Sequence, residues 1–235
     1  MKVDLHTHCR EHSACSLLRA KDLVRQAYRC GLDAVVITDH HHFLSRPLRD
    51  ELEAAAAPLR VFRGIEITVV DSHGSGLSED VLVIGPQELD LPSPLPLAQI
   101  ELLAEFAERT GALTVLAHPF RFHDLVSLNF DVFTPDAVEV ASGHIRHTLR
   151  GKAMALARRH NMRPVASSDA HHVSALGSHF IELNLPASDE FALAHAIRTG
   201  RYHLSARPAR RRHRRPLTRA LLAWGNGLGR YLARA

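Results

Sequence analysis

The sequence predicts a soluble α/β protein folded as a (β/α) barrel, and three observations carry that prediction. Short apolar bursts alternate with helix-period segments about seven times and without an internal repeat, the pattern of parallel strands joined by crossover helices. His, Asp and Glu residues gather where the bursts end, and ligands at strand carboxyl ends suit a closed barrel better than an open sheet. A chain of 235 residues is long enough for one sizeable core.

The elements follow in order. Asp4-Leu5-His6-Thr7-His8 reads as a strand terminus. Lys21 to Cys30 is an amphipathic helix through Leu23, Val24, Ala27 and Tyr28, stopped by Gly31. Ala34 to Ile37 is a buried strand that runs into Thr38-Asp39-His40, and Leu48 to Ala57 is a helix ended by Pro58. Strands follow at Leu59 to Val70 and Val81 to Ile84, before Gly85-Pro86. A proline-rich loop at 92–96 leads into a helix from Leu97 to Thr110, closed by Gly111. Beyond it come strands at Leu113 to Leu116 and Ala137 to Val140, a helix at about His147 to His160, and strands at Pro164 to Ala166 and Phe180 to Leu185. A helix from Ser188 to Thr199 is closed by Gly200. This first domain is assigned to residues 1–204.

Residues 205–235 form a different segment. An arginine run from Arg207 to Arg215 precedes a helical stretch from Pro216 to Ala235, with Leu217, Leu221, Trp224, Leu228 and Tyr231 on one stripe. Ten of the 29 basic residues lie at 201–235, where there is no Asp or Glu, leaving 19 against 25 acidic residues at 1–200. The net charge of +4 therefore joins an acidic body to a basic tail. The tail has two readings: neutralising phosphates of RNA or DNA, or a solvated segment that offsets the acidic body or touches anionic lipid.

Hydrophobic residues make up 46% of the chain and charged residues 23%, a globular balance. No apolar run approaches bilayer length, so no transmembrane segment is expected. Residues 1–20 lack a signal-peptide pattern, and the expectation is a cytoplasmic protein. Three cysteines, Cys9, Cys15 and Cys30, fit reduced thiols better than a disulfide framework.

Two histidines at i and i+2 of a strand point to one side, so His6 and His8 can converge on one cation. Four further groups of ligand-type residues follow: Thr38-Asp39-His40, Gly64-Ile65-Glu66, Ala117-His118-Pro119 and Ser168-Asp169-Ala170-His171. Imidazole nitrogen and carboxylate oxygen together suit zinc, manganese or iron, with magnesium also admissible. Most of the 18 histidines must be ordinary surface or core residues; His12, His123, His160, His195, His203 and His213 are read so. His41 and His42, beside His40, are open between ligand, substrate contact and solvated loop.

In these five segments, and in their order over residues 1–200, the sequence resembles the PHP (polymerase and histidinol phosphatase) family. The resemblance implies a distorted seven-stranded (β/α) barrel with a cleft holding two or three divalent metal ions, and hydrolysis of phosphoesters. It implies that His6, His8 and Asp169 hold one metal, Glu66 bridges to a second bound by His118, and His40 with His171 hold a third. Glu66 and Asp169 then take the catalytic roles, and Asp39 orients a ligand without binding metal. Where the family often has a histidine, Asp80 stands as a harder ligand. Where many members have Asp or His for the third metal, this chain offers Cys15, or His12 by another loop path.

The chemistry expected is attack of a metal-activated hydroxide on phosphorus, with Arg121 on the phosphate and His41 or His42 near the leaving group. The substrate is a phosphorylated small molecule, a nucleotide or a nucleic-acid end. Two other classes stay open. One is an amidohydrolase-like C–N hydrolase, which the scarcity of lysine (Lys2, Lys21 and Lys152) disfavours. The other is a non-catalytic metal-containing module that binds a nucleic-acid-related partner.

Overall fold

The computed structural model describes residues 1–70, 77–85 and 98–207. The arginine run beyond Arg207, the stripe from Leu217 to Tyr231 and the proline-rich loop at 92–96 lie outside the described residues.

Strands β1 (Lys2–Thr7), β2 (Ala34–Ile37), β3 (Arg60–Val70), β4 (Ser78–Ile84), β5 (Ala98–Gln99), β6 (Leu113–Leu116), β7 (Ala137–Ala141), β8 (Arg163–Ala166), β9 (His179–Leu183) and β10 (Tyr202–Ala206) form one sheet. Helices are α1 (Ala20–Arg29), α2 (Arg46–Ala56), α3 (Ile100–Thr110), α4 (Arg150–Arg159) and α5 (Glu190–Arg198). The strand path is β10-β9-β1-β2-β3-β4-β6-β7-β8, with β5 paired to β3 off that path. A parallel bridge between Thr7 and Ala170 joins the end of β1 to the segment after β8, so the sheet curls into a nearly closed barrel.

Four expectations need correction. Nine strands lie along the path rather than seven, and the sheet is mixed rather than parallel. β4 runs antiparallel to both β3 and β6, and β9 runs antiparallel to β1 and β10. The physical reason is connection length: the few residues between β3 and β4 cannot hold the crossover that a parallel pair needs. β10 also carries the sheet to Ala206, so the break set at 204/205 falls inside a strand. The helix expected at His147 to His160 begins as a 3-10 turn, His147–Leu149, before α4.

Strand alternation divides the core. Leu5, Val36, Phe62, Leu82 and Val115 pack inside the barrel, and Leu193, Ala194 and Ile197 of α5 close its base. The opposite parity faces outward onto helices: Val35 and Ile37 meet α1 and α2, Val81 and Val83 meet α3, and Val138 and Val140 meet α4. β2 is buried along its whole length, as expected of a parallel strand covered on both faces. Each fully buried aliphatic or aromatic side chain contributes about 1.5–3 kcal/mol. Ser45 and Asp189 cap α2 and α5 through side-chain oxygens. Gly111 ends α3 at φ +65°, a conformation that favours glycine.

Candidate metal centre

One mouth of the barrel collects the ligand-type side chains. His6 and His8 come from the end of β1, His40 from just after β2, His118 from after β6, and Asp169 with His171 from after β8. Glu66 sits within β3 because that strand continues past the mouth, where His40 bridges to it. Gly64 lets β2 and β3 close up beneath: a Cβ there would lie 2.9 Å from Thr38 Cγ2 and 3.0 Å from Val36 Cγ1. His41, His118 and Asp169 all have positive φ (51°, 25° and 50°). Such backbone costs free energy and persists where the surroundings hold it.

These side chains form three overlapping triads, each with ligand atoms within 4.8 Å of one another: His6, His8 and Asp169; His6, Glu66 and His118; and His8, His40 and His171. His6 and His8 are each shared by two triads. Their Nε2 atoms face each other at 2.9 Å.

The hydrogen bonds behind the rings set their tautomers. His6 Nδ1 lies 2.9 Å from Glu139 Oε1, an acceptor, so Nδ1 carries the proton. Ser13 Oγ donates to Asp39 Oδ1 at 2.7 Å, so it accepts from His8 Nδ1 at 3.3 Å. His171 Nδ1 has the carbonyl of Asp169 at 3.2 Å. All three rings thus turn an Nε2 lone pair away from these partners, and those of His6 and His8 point at one another. Two lone pairs at that distance repel unless a cation sits between or beside them. Glu66 Oε2 and Asp169 Oδ1 are buried without a hydrogen bond of proper geometry, although imidazole nitrogens lie 2.9–3.4 Å away. The donor set and its unsatisfied atoms fit divalent metal ions.

Electrostatics lead to the same requirement. Burial opposes charge on His6, but Asp169, Glu66 and Glu139 outweigh it and raise its pKa well above the usual value. Burial works against ionised Glu66 and Asp169 as well, yet His6 and the neighbouring histidines hold both carboxyls well below their ordinary range. Burial lowers His8, and burial with the adjacent His8 lowers His171 to about 4. The pocket therefore demands positive charge, supplied by a proton on His6 or by a metal ion.

Residues 148–202 match the family model described as PHP-associated. Solved structures share the fold of this chain. One is a two-domain protein of Bacteroides vulgatus containing a predicted PHP-like metal-dependent phosphoesterase, with 18% identity and TM-score 0.66 over 88% of this chain and 64% of that one. The chain thus spans under two thirds of that relative's length. Another is an amidohydrolase of Chromobacterium violaceum with bound sulfate and no metal, with 16% identity and TM-score 0.58 over 73% of this chain and 88% of that one. A third is PsfC of Pseudomonas syringae, with 18% identity and TM-score 0.64 over 88% of this chain and 91% of that one. No curated protein matches the sequence.

Other predicted site residues fall around the triads. Asp80 enters at the mouth because antiparallel β4 starts there; its Oδ2 is 3.8 Å from His118 Nε2, and its Oδ1 accepts from Thr68 at 2.7 Å. It belongs to none of the triads. Cys15 is exposed and also stands outside them. Arg121 Nη1 lies 3.4 Å from Asp169 Oδ2, with its guanidinium over Phe122 at 4.8 Å. His41 donates its main-chain N–H to Glu66, and the His42 ring stacks on His12 with centroids 3.5 Å apart. Asp39 touches no triad side chain; its carboxylate accepts from Cys9 N, Cys9 Sγ and Ser13 Oγ, each at 2.7 Å. Ser13 relays that anchoring to His8 and, through main-chain N at 3.1 Å, to His40.

Glu139 and His144 were missed from sequence. Glu139 is fully buried on the inward face of β7 and accepts from His6 Nδ1, from His118 main-chain N at 2.7 Å and from Ser167 Oγ. A lone carboxylate inside the apolar strand Ala-Val-Glu-Val-Ala was the available signal. His144 Nδ1 makes a short contact with Asp169 Oδ2. It reaches there because Gly143 packs on the Ser168 carbonyl, 2.7 Å from where a Cβ would stand.

Proposed function

We propose that the protein is a metal-dependent phosphoesterase that hydrolyses a phosphomonoester or phosphodiester. The observation that carries this is the shared pair His6 and His8, whose opposed Nε2 atoms at 2.9 Å join the three triads into one centre. Adjacent cations are what such sharing serves. On this reading His6, His8 and Asp169 hold one ion, Glu66 and His118 the next, and His40 with His171 a third. The ions are zinc, manganese or iron, with magnesium also compatible. When bound, they supply Lewis acidity and a nucleophile generated from water at neutral pH.

The chain's own groups do the rest. Arg121, half-buried beside Asp169, turns to a phosphoryl oxygen with the fixed fork of its guanidinium. His41 and His42 stand at the mouth, with burial lowering the pKa of both. Either can pass a proton to a departing alkoxide. Glu139 and Ser13 hold the His6 and His8 rings so that Nε2, not Nδ1, faces the centre. The fold likeness to an amidohydrolase does not favour C–N hydrolysis. Lys2 starts β1, Lys21 pairs with Glu51, and Lys152 rests on the Asp124 carbonyl, so none offers a bridging ligand.

Elemental analysis with a phosphomonoester and phosphodiester screen in added Mn²⁺ tests the proposal. Two or three ions per chain and chelator-sensitive hydrolysis are expected. Changing His8 or Glu66 to Ala should cut activity more than about a hundredfold. Metal-loaded protein that leaves every phosphoester intact would falsify it.

A further inference from the structure

From Val140 to Ser168 the chain contains no Asp or Glu, yet it carries six arginines and lysines. This stretch runs from the end of β7 through α4 to the end of β8. Its first turn lies at the metal-centre mouth: His144 reaches Asp169. Lys152 Nζ sits 4.3 Å over the Phe120 ring and donates to the Asp124 carbonyl. Phe120 and Asp124 belong to the loop that carries His118 and Arg121.

Arg146, Lys152, Arg158 and Arg159 are exposed, and Arg150 is half-buried with Nη2 2.8 Å from His179 Nε2. Among the described residues no carboxylate pairs with any of these five. The first turn of α4 has no acidic residue, so Arg150 and Lys152 add to the positive helix end instead of offsetting it. Such unpaired charge on a body that is acidic elsewhere marks a surface for a polyanion.

A second feature narrows the polyanion. Phe122, one residue after Arg121, is 68% exposed. It meets His118 edge-on at 6.4 Å and carries the Arg121 guanidinium over one face at 4.8 Å, which leaves the other face for a stacking partner. Cationic side chains that track phosphates beside an exposed aromatic ring match the chemistry of single-stranded nucleic acid, whose bases stack on any π face. A lipid surface fits poorly. The exposed positions of α4 are Gly151, Lys152, Ala155, Arg158 and Arg159, with no large apolar side chain to enter a bilayer. The ten residues of α4 span about 15 Å, room for a few consecutive phosphates.

We infer that α4 and Phe122 form a track for single-stranded nucleic acid that leads a terminal phosphate into the metal centre. The inference rests on the phosphoesterase reading for that last step. The track itself is tested without catalysis.

The test is fluorescence anisotropy of the full chain with a labelled single strand of about 12 nucleotides, within the usual site sizes. It is run in EDTA over a salt series, with circular dichroism to confirm folding. Charge reversal of Arg146, Arg158 and Arg159 to Glu should weaken binding more than tenfold at low salt. It should also flatten the log–log salt slope by about 0.7 per lost phosphate contact. Phe122→Ala should weaken binding by roughly five- to a hundredfold and leave the slope unchanged. An unaltered slope in the triple variant would place the binding on other charges and overturn the track, as would equal affinity for a duplex of the same length. Failure of the phosphoester screen alone would remove the hydrolytic reading and leave the track standing.

Discussion

Replacing Glu139 with Gln changes one oxygen to an NH₂ group, and the consequence can be worked through atom by atom. The carboxylate accepts three protons: Oε1 takes those of His6 Nδ1 and Ser167 Oγ, and Oε2 takes that of the His118 main-chain N–H. All three partners donate, and the group is fully buried, so no water can replace a lost contact. A glutamine offers one accepting oxygen, and its NH₂ must face a donor. Either His6 loses the partner that fixes its tautomer, or the His118 N–H is left unpaired. Hydrogen bonds to a charged acceptor are worth about 1.5–3 kcal/mol each. Loss of a hydrogen bond behind a metal-binding histidine typically weakens metal affinity by about 10–100-fold.

The effect should be uneven. His6 belongs to two triads and His118 to one of the same two, whereas His8, His40 and His171 form a triad that Glu139 does not touch. Competition with a chromophoric chelator, read as Mn²⁺ or Zn²⁺ is titrated, should show sites weakened by about 10–100-fold beside one that is nearly unchanged. Glu139→Asp keeps the acceptor chemistry on a shorter arm and should recover part of the loss. A Gln variant with wild-type affinity at every site would refute the reasoning, because the His6 orientation would then owe nothing to Glu139.

Three further outcomes are expected. The raised pKa of His6 means that its proton stabilises the metal-free fold fully below about pH 6.5 and less as pH rises through the folded value. Added Mn²⁺ replaces that proton, so the rise in Tm on metal addition should be larger near pH 8 than near pH 6, by differential scanning fluorimetry; equal rises would contradict this. Gly143→Ala puts a Cβ 2.7 Å from the Ser168 carbonyl; urea unfolding should show a loss of about 1–3 kcal/mol, with weaker metal binding as His144 and Asp169 shift. Cys15→Ser should leave the metal count unchanged, since Cys15 is exposed and outside the triads, whereas His171→Ala should lose an ion or bind it at least about tenfold more weakly.

Why some of this was legible in the sequence and some was not has a physical basis. β2 and β6 are buried on both faces, so short apolar-rich runs, interrupted in β6 only by Thr114, mark their limits. The ligand segments were legible because polar, titratable residues directly after such runs have few structural uses. The direction of β4 leaves no mark in its own residues and follows only from the short β3–β4 connection, which excludes a crossover. The same reversal brings Asp80 to the mouth: in a reversed strand the site residue comes at the start. β10 has no fully buried residue, so it carries no periodic apolar signal and was passed over. Glu139 escaped for the opposite reason. It lies within a strand rather than beyond its end, and its role is read from the donors that converge on it from β1, β6 and β8, an arrangement that no local spacing encodes. The residues that bind are announced locally, then, while those that aim the binders are fixed by contacts across the barrel.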